Sequence, residues 1–381
     1  MFTPHTRLPV PALPWRATAA ALALGLGAGL AGAADEPSVQ IYGIVDIGVL
    51  TQSKSGTSGR LTQVATSGYR QSVWGFRGKE DLGNGLKVFF NLETHFDVDT
   101  GEFHGTGDAA GSGPILFRRQ ANLGLSGDWG QVAFGRQYGP ALLAHLATEP
   151  RAFKEQFSNI YLFAYNQYAA TLGPAPAGIN GNNDVGIFLK NAIQYRNAFG
   201  PVQVGLAYAL GETAGSLKKN SVVAAGVTYT GPVVLSFSYQ NMKDGTTGEP
   251  VVKHIGFGGA VPVGDFTLKA NYLNVKNADP SGAELSDVDG LSFGVDYDWS
   301  PKNKLTVAYY DNEDQRNRSD AARSLVISND YSLSKRTLLY VQGAYVDAKA
   351  GATIKTTIVA AGVPAQDART TLLNVGINHT F

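Results

Sequence analysis

Amphipathic segments of about ten residues recur along most of this chain, and they limit its fold more than any other feature. In residues 291–299, large apolar side chains alternate with serine, glycine and aspartate. Alternation with a period of two places apolar groups on one face of a strand and polar groups on the other. In a soluble protein the apolar face packs in a core, whereas in a transmembrane barrel it faces lipid and the polar face lines a wet lumen.

The pattern predicts sixteen strands, an even number, as bacterial barrels require. They span residues 39–50, 72–79, 86–97, 115–126, 131–138, 187–196, 202–210, 221–229, 233–242, 253–261, 266–275, 288–299, 305–312, 323–331, 337–347 and 370–381. The last strand ends the chain on Phe381, which suggests that the C-terminus itself closes a sheet.

The connections between these strands alternate in length. Tight turns lie at 80–85, 127–130, 198–201, 230–232, 262–265, 300–303 and 332–335, and long polar stretches at 51–71, 98–114, 211–220, 277–287 and 348–369. Short turns at one end and long loops at the other are typical of an outer-membrane barrel. Lys269, Asp296 and Asp298 are costly in a dry core but not in a water-filled lumen. We therefore expect an all-β, transmembrane antiparallel barrel of about sixteen strands, with short periplasmic turns and long external loops.

The N-terminus reads as an export signal. Arg7 and Arg16 precede the apolar run 17–30, and Ala31-Gly32-Ala33 offers a cleavage site. A membrane-anchor helix is the alternative, but the run is short and glycine-rich. We predict a signal peptide at residues 1–33, and a barrel domain at residues 34–381 that begins at Ala34 or Asp35 after cleavage.

Composition excludes several other functions. Beyond the predicted signal there are 29 basic and 31 acidic residues, a net charge of −2, which argues against nucleic-acid binding. The chain has no cysteine, so disulfides and thiol chemistry are absent. The five histidines beyond the signal show no His-x-x-x-His spacing. We expect no cofactor, no metal and no enzymatic activity.

Five motifs occupy characteristic places on the predicted strands. They are Tyr42-Gly43-x-Val45-Asp46, Trp74-Gly75-Phe76-Arg77-Gly78-x-Glu80-Asp81-Leu82-Gly83, Arg119-Gln120-Ala121-x-x-Gly124-Leu125, Gly135-Arg136-Gln137-Tyr138 and the terminal Phe381. Together they resemble the trimeric general-diffusion porins of the Gram-negative outer membrane, of the betaproteobacterial type, from Val39 to Phe381. The resemblance implies a homotrimer in outer-membrane lipid and lipopolysaccharide that passes small hydrophilic solutes and ions.

The resemblance also implies a third loop, residues 139–184, folded into the lumen, with basic residues on the wall opposite acidic residues on the loop. By motif position the constriction residues on the wall are Arg77, Lys87, Arg119, Arg136 and Lys190. The acidic partners would be Glu149 and Glu155, with Asp184 a further candidate, and Arg118 would face outward. Within the loop, residues 150–157 are expected to form a short helix, since proline suits a first turn.

Two departures from the family pattern bear on ion preference. Val73 stands where the family usually has arginine, and Arg151 and Lys154 are mixed among the loop acids. Two alternatives also stay open. The loop aromatics Phe153, Phe157, Tyr161, Phe163, Tyr165 and Tyr168 allow a substrate-selective channel, and the barrel could instead serve as an adhesin or an outer-membrane enzyme.

Overall fold

The computed structural model describes residues 38–55, 58–103, 115–163, 180–184, 186–354 and 367–381. The predicted signal peptide lies outside them. The first strands are β1 (Ser38–Gln52), β2 (Leu61–Thr66), β3 (Val73–Gly83), β4 (Leu86–His95), β5 (Gln120–Gly127) and β6 (Gly130–Tyr138). Between β6 and the next long strand lie α1 (Pro140–Ala144), α2 (Ile160–Phe163) and the two-residue β7 (Asn183–Asp184).

The remaining elements are all strands. They are β8 (Phe188–Phe199), β9 (Val202–Ala209), β10 (Val222–Thr230), β11 (Val234–Lys243), β12 (Pro250–Val263), β13 (Phe266–Ala278), β14 (Glu284–Ser300), β15 (Asn303–Asp314), β16 (Ala321–Ser332), β17 (Thr337–Ala348) and β18 (Ala368–Thr380). Neither helix among the described residues has the length and hydropathy that crossing a membrane requires.

The strands form one antiparallel sheet that closes on itself at β1. One edge of β1 pairs with β18, and its other edge pairs with β2 and then β3, which are two parts of a single barrel strand. Since β7 only extends the loop edge of β8, the wall consists of sixteen strands. The amide of Phe381 donates to the carbonyl of Gly43 (3.0 Å), so the C-terminus completes the closure.

The prediction of a closed antiparallel barrel with sixteen strands is confirmed, and three details differ from it. The chain enters β5 only at Gln120, so residues 115–119 are not strand. The stretch 51–71, expected as loop, contains β2. The helix predicted at 150–157 is wrong: the structure has turns there, and helices α1 and α2 lie on either side. The physical reason is that side chains and amides of this stretch are bonded to one another and to the wall, which fixes a non-helical path.

The barrel is apolar outside and polar inside. Along β14, Leu291, Phe293 and Val295 are 42%, 48% and 36% exposed, whereas Ser292 between them is fully buried. Other strands of the barrel also bury polar side chains on the inner face. These include Asn122, Gln194, Ser238, Asn271, Thr306, Ser328, Gln342 and Asn374. An apolar band that faces outward is what lipid requires, and a polar interior is what water requires.

Candidate functional site: the channel interior

The third loop was expected at residues 139–184, and its described residues 139–163 run along the inner wall of the barrel. Its first helix, α1, contacts β9, β10 and β11, and Thr228 of β10 donates to the carbonyl of Ala144 (2.9 Å). Further on, Thr148 lies against Ser236 of β11 (2.6 Å). In a ring of sixteen strands, β13 to β15 stand opposite β4 to β6. The described part of the loop therefore extends from the β6 side of the channel to the opposite wall.

Hydrogen bonds hold the loop to the four strands β15 to β18. The wall residue and its loop partner are Tyr310 and Glu149 at β15 (2.7 Å), Asp330 and Lys154 at β16 (2.7 Å), Gln342 and Arg151 at β17 (2.5 Å), and Asn374 and Gln156 at β18 (2.6 Å). Asn312 of β15 donates to Asn159 (3.0 Å). All ten of these side chains are buried, so each bond is made away from bulk water. The loop is thereby fixed at successive points rather than at one.

Glycines in the wall make room for the loop backbone. A Cβ atom on Gly226 would stand 2.0 Å from the carbonyl oxygen of Pro140, and one on Gly294 would stand 2.5 Å from the Cβ of Pro150. Both strands can hold the loop this closely only because these positions carry no side chain.

His145 is a buried polar contact between loop and wall. Its Nε2 lies 2.8 Å from Ser238 Oγ, and its Nδ1 lies 2.8 Å from Ser236 Oγ and 3.0 Å from Asn271 Nδ2. Burial lowers the pKa of His145 to about 3. The ring is therefore neutral near pH 7, and its neutral form is the one that these contacts fit.

Three arginines lie among aromatic rings: Arg77 on β3, Arg119 directly before β5 and Arg136 on β6. We call them the arginine cluster. The guanidinium carbon of Arg77 lies 4.9 Å from the centre of the Tyr42 ring. Tyr42 donates to one oxygen of Glu93 (2.9 Å), and Arg119 donates to the other (2.7 Å). One carboxylate thus stands between two of the three cations.

The other side of the arginine cluster is bounded by Tyr138 and Phe188, whose ring centres are 4.7 Å apart. The guanidinium carbon of Arg119 lies 5.3 Å from the Tyr138 ring and 5.4 Å from the Phe188 ring, and that of Arg136 lies 5.9 Å from Phe188. Arg119 also donates to the hydroxyl of Tyr138. Rings that accept cations on their faces hold the guanidinium groups without neutralising them.

The structure brings only some of the predicted constriction residues together. Arg77, Arg119 and Arg136 are joined by the contacts described above, and Lys190 follows two residues after Phe188 on β8. Lys87 lies near the short-turn end of β4, 3.6 Å from Asp81, six residues before Glu93 and hence about 20 Å along the strand at ~3.4 Å per residue.

The predicted acids Glu149 and Glu155 are buried and accept hydrogen bonds from the loop and from residues outside it. Glu149 is fully buried and accepts from the amides of Arg151 and Phe153 (both 2.8 Å) in addition to Tyr310. Glu155 is 6% exposed and accepts from Gln71 (3.0 Å). Asp184 lies in β7. The backbone carbonyl of Arg118 accepts a hydrogen bond from the Arg136 side chain.

In the described part of the chain, one ion pair between loop and wall has the reverse of the expected polarity. The loop contributes a cation, Lys154, to an acid of the wall, Asp330, and Arg119 of the wall pairs with Glu93, which also belongs to the wall. Sequence reasoning missed Glu93, Asp330 and Tyr42 as interior partners. Their positions on the polar faces of alternating strands were the available signal, but alternation does not say which charges meet.

A closed sixteen-strand barrel with an apolar exterior, a polar interior and a loop folded inside defines a water-filled channel through a membrane. The family model of the Gram-negative porins matches residues 17–351, and the chain belongs to that family. It is 28% identical over 370 residues to the outer membrane porin protein 32 of Delftia acidovorans, covering 94% of this chain and 99% of that one. An outer membrane porin protein of Bordetella pertussis is also 28% identical, over 417 residues, with 94% and 99% covered.

A solved structure, the anion-selective porin from Comamonas acidovorans, superposes with a TM-score of 0.76 at 25% identity and covers 91% of this chain and 100% of its own. The protein is therefore an outer-membrane β-barrel channel of the betaproteobacterial porin type, through which solutes diffuse passively. Members of this family are channels rather than enzymes.

Proposed function

We propose that this channel passes small hydrophilic solutes with a preference for anions, and that the constriction residues on its wall set this preference. The observation that carries the proposal is the arginine cluster, which gathers three guanidinium groups beside the carboxylate of Glu93 and the rings of Tyr42, Tyr138 and Phe188. A fixed excess of positive charge beside a water-filled path raises the local concentration of anions and lowers that of cations.

The third loop offsets this excess only in part. Residues 139–184 carry three acids, Glu149, Glu155 and Asp184, and two bases, Arg151 and Lys154, so their formal charge is −1. The neighbour in Comamonas acidovorans, described as anion-selective, is consistent with the same sign of preference. Lys190 is assigned to the same basic wall, and Lys87 to the mouth on the short-turn side.

The test is a reversal potential measured in planar bilayers under a potassium chloride gradient. The wild-type channel is expected to give the sign of anion preference, and the Arg119→Gln/Arg136→Gln double variant is expected to shift it towards cations. Arg323→Gln, which removes an exposed arginine paired with Asp311 (3.0 Å), is the matched control and should leave the potential unchanged. A wild-type channel without anion preference, or a double variant equal to wild type, would refute the proposal.

A substrate-selective channel receives less support. Of the loop aromatics considered for it, Phe153 and Phe157 are 7% and 2% exposed and pack within the loop and wall. The side chains of Tyr161, Phe163, Tyr165 and Tyr168 lie outside the described residues.

We also propose that the barrel functions as a homotrimer embedded in outer-membrane lipid, with lipopolysaccharide around its outer half. Family membership supports the trimer, and the outward apolar band supports the lipid contact. Mass measurement of the detergent-purified channel distinguishes a trimer from a single barrel.

A further inference from the structure

The barrel wall is interrupted between β2 and β3 by residues 67–72, which we call the inward turn. On the facing strand, Ile47 pairs with Thr66 and Ile44 pairs with Val73. Six residues of the inward turn therefore stand opposite only two residues of β1, far more than the single extra residue of an ordinary β-bulge. The surplus chain has to leave the plane of the wall.

The carboxylate of Asp46 on β1 draws this surplus into the lumen. It accepts from three successive amides, those of Gly68 (2.8 Å), Tyr69 (3.2 Å) and Arg70 (3.0 Å). It also accepts from Tyr340 and Asn378 (both 2.8 Å), side chains of β17 and β18, and it is fully buried. Successive amides that converge on one buried anion fix the backbone strongly.

The inward turn also touches the third loop, so it forms part of the channel's narrow region. The amide of Glu155 donates to the carbonyl of Tyr69 (3.0 Å), and that of Gln156 donates to the carbonyl of Gly68 (3.3 Å). Gln71 donates to Glu155 and lies 3.1 Å from His95, two residues along β4 from Glu93. The inward turn thus lies between the loop and the strand that carries the carboxylate of the arginine cluster.

Exposure within the inward turn shows which residues reach water. Ser67, Gly68 and Ser72 are buried, whereas Tyr69, Arg70 and Gln71 are partly exposed. The Tyr69 ring stacks on the Tyr340 ring inside the barrel, with 6.0 Å between the ring centres. The guanidinium carbon of Arg70 lies 5.6 Å from the centre of the Tyr69 ring. Because the ring is inside, the guanidinium group is inside too.

Arg70 differs in one respect from Lys154 and Arg119, two other cations of the interior. Lys154 and Arg119 each have a carboxylate within 3 Å, whereas in the described part of the chain no carboxylate lies within ion-pair distance of Arg70. The contact with the Tyr69 ring holds the guanidinium group of Arg70 in place without neutralising its positive charge. We propose that the inward turn is a second constriction element and that Arg70 is a specificity-determining residue, a cation presented to permeating anions.

This inference rests on the proposed anion preference, and its test separates the two. Arg70→Gln is expected to lower the ratio of anion to cation permeability about fourfold, because a unit charge about 8 Å from an ion in water changes the local concentration of anions and of cations about twofold each, in opposite directions. Arg70→Lys keeps the charge and should retain the wild-type ratio. Arg60→Gln, an exposed arginine just before β2, removes the same charge outside the narrow region and should also leave the ratio unchanged. An Arg70→Gln channel with the wild-type ratio would overturn the inference.

A second measurement does not depend on selectivity. Because the chain has no cysteine, Arg70→Cys provides a unique thiol for a charged methanethiosulfonate reagent. Modification should lower the single-channel current in Arg70→Cys and leave it unchanged in Arg60→Cys. If modification has no effect while the wild-type channel prefers anions, the placement of Arg70 is wrong and the proposed function stands. If modification reduces the current but the wild type has no anion preference, the placement holds and the proposed function fails.

Discussion

Lys154 of the third loop forms an ion pair with Asp330 of β16, with 2.7 Å between Nζ and a carboxylate oxygen and both side chains about one-tenth exposed. The loop thus supplies the cation and the wall the anion. Together with the bonds from Tyr310, Gln342 and Asn374, this pair makes the loop a fixed part of the interior rather than a freely moving lid.

Breaking this pair should loosen the loop. Removing one partner of a buried ion pair leaves an uncompensated charge and typically costs about 3–5 kcal/mol. Lys154→Met is therefore expected to raise the noise and the number of substates in single-channel recordings. Lys154→Met/Asp330→Leu, which removes both charges, should be quieter than the single variant. Lys218→Met breaks an exposed pair, worth roughly 0–1 kcal/mol, and is the control. Equal noise in all three channels would contradict the anchoring role.

A methyl group on Gly226 should displace α1. Its Cβ would stand 2.0 Å from a backbone oxygen of Pro140, and overpacking of this kind costs about 1–3 kcal/mol. Gly226→Ala is expected to change the single-channel conductance because α1 must move away from β10. Gly259→Ala is the matched control, since the nearest atom to its Cβ would be 3.8 Å away. The interpretation fails if both variants conduct as the wild type does.

Acid should weaken the docking of the loop through His145. The pKa of this ring is about 3 in the folded protein, below the ordinary value of 6.5, so proton binding favours the undocked state. The stabilisation is complete above pH 6.5 and is lost progressively as the pH falls towards 3. Current noise should therefore rise over this range in the wild type and less steeply in His145→Gln. His379→Gln removes an exposed histidine and should follow the wild type. Identical profiles for His145→Gln and wild type would exclude this ring as the cause.

Neutralising Glu93 should strengthen anion preference. Its carboxylate is the one that separates Arg77 from Arg119, and Glu93→Gln keeps an oxygen that can accept from Tyr42 and Arg119. The reversal potential in a salt gradient is expected to shift further towards anions. Glu80→Gln, an exposed acid at the short-turn end of β3, is the control. A shift of equal size in both variants would show that the position of Glu93 has no special effect.

The sequence by itself determined the wall of the barrel. Each strand shows its two faces through alternation, a local property, and the turns between strands are set by glycine, proline and asparagine nearby. All sixteen barrel strands were therefore predictable, with errors only at their ends and at the division into β2 and β3. Arg77, Arg119 and Arg136 were predictable as a group for the same reason, because each belongs to a motif on a neighbouring strand.

Only the tertiary structure decided how the interior is arranged. Asp46 meets Tyr340 across 294 positions of the chain, and Lys154 meets Asp330 across 176. Alternation along a strand does not say which distant side chains meet, and the third loop has no periodicity at all. Nothing local therefore distinguishes Lys154, which anchors the loop, from Arg70, which has no carboxylate partner among the described residues. The helix expected at 150–157 failed for that reason: its polar groups are satisfied by the wall and by one another instead of by helical hydrogen bonds.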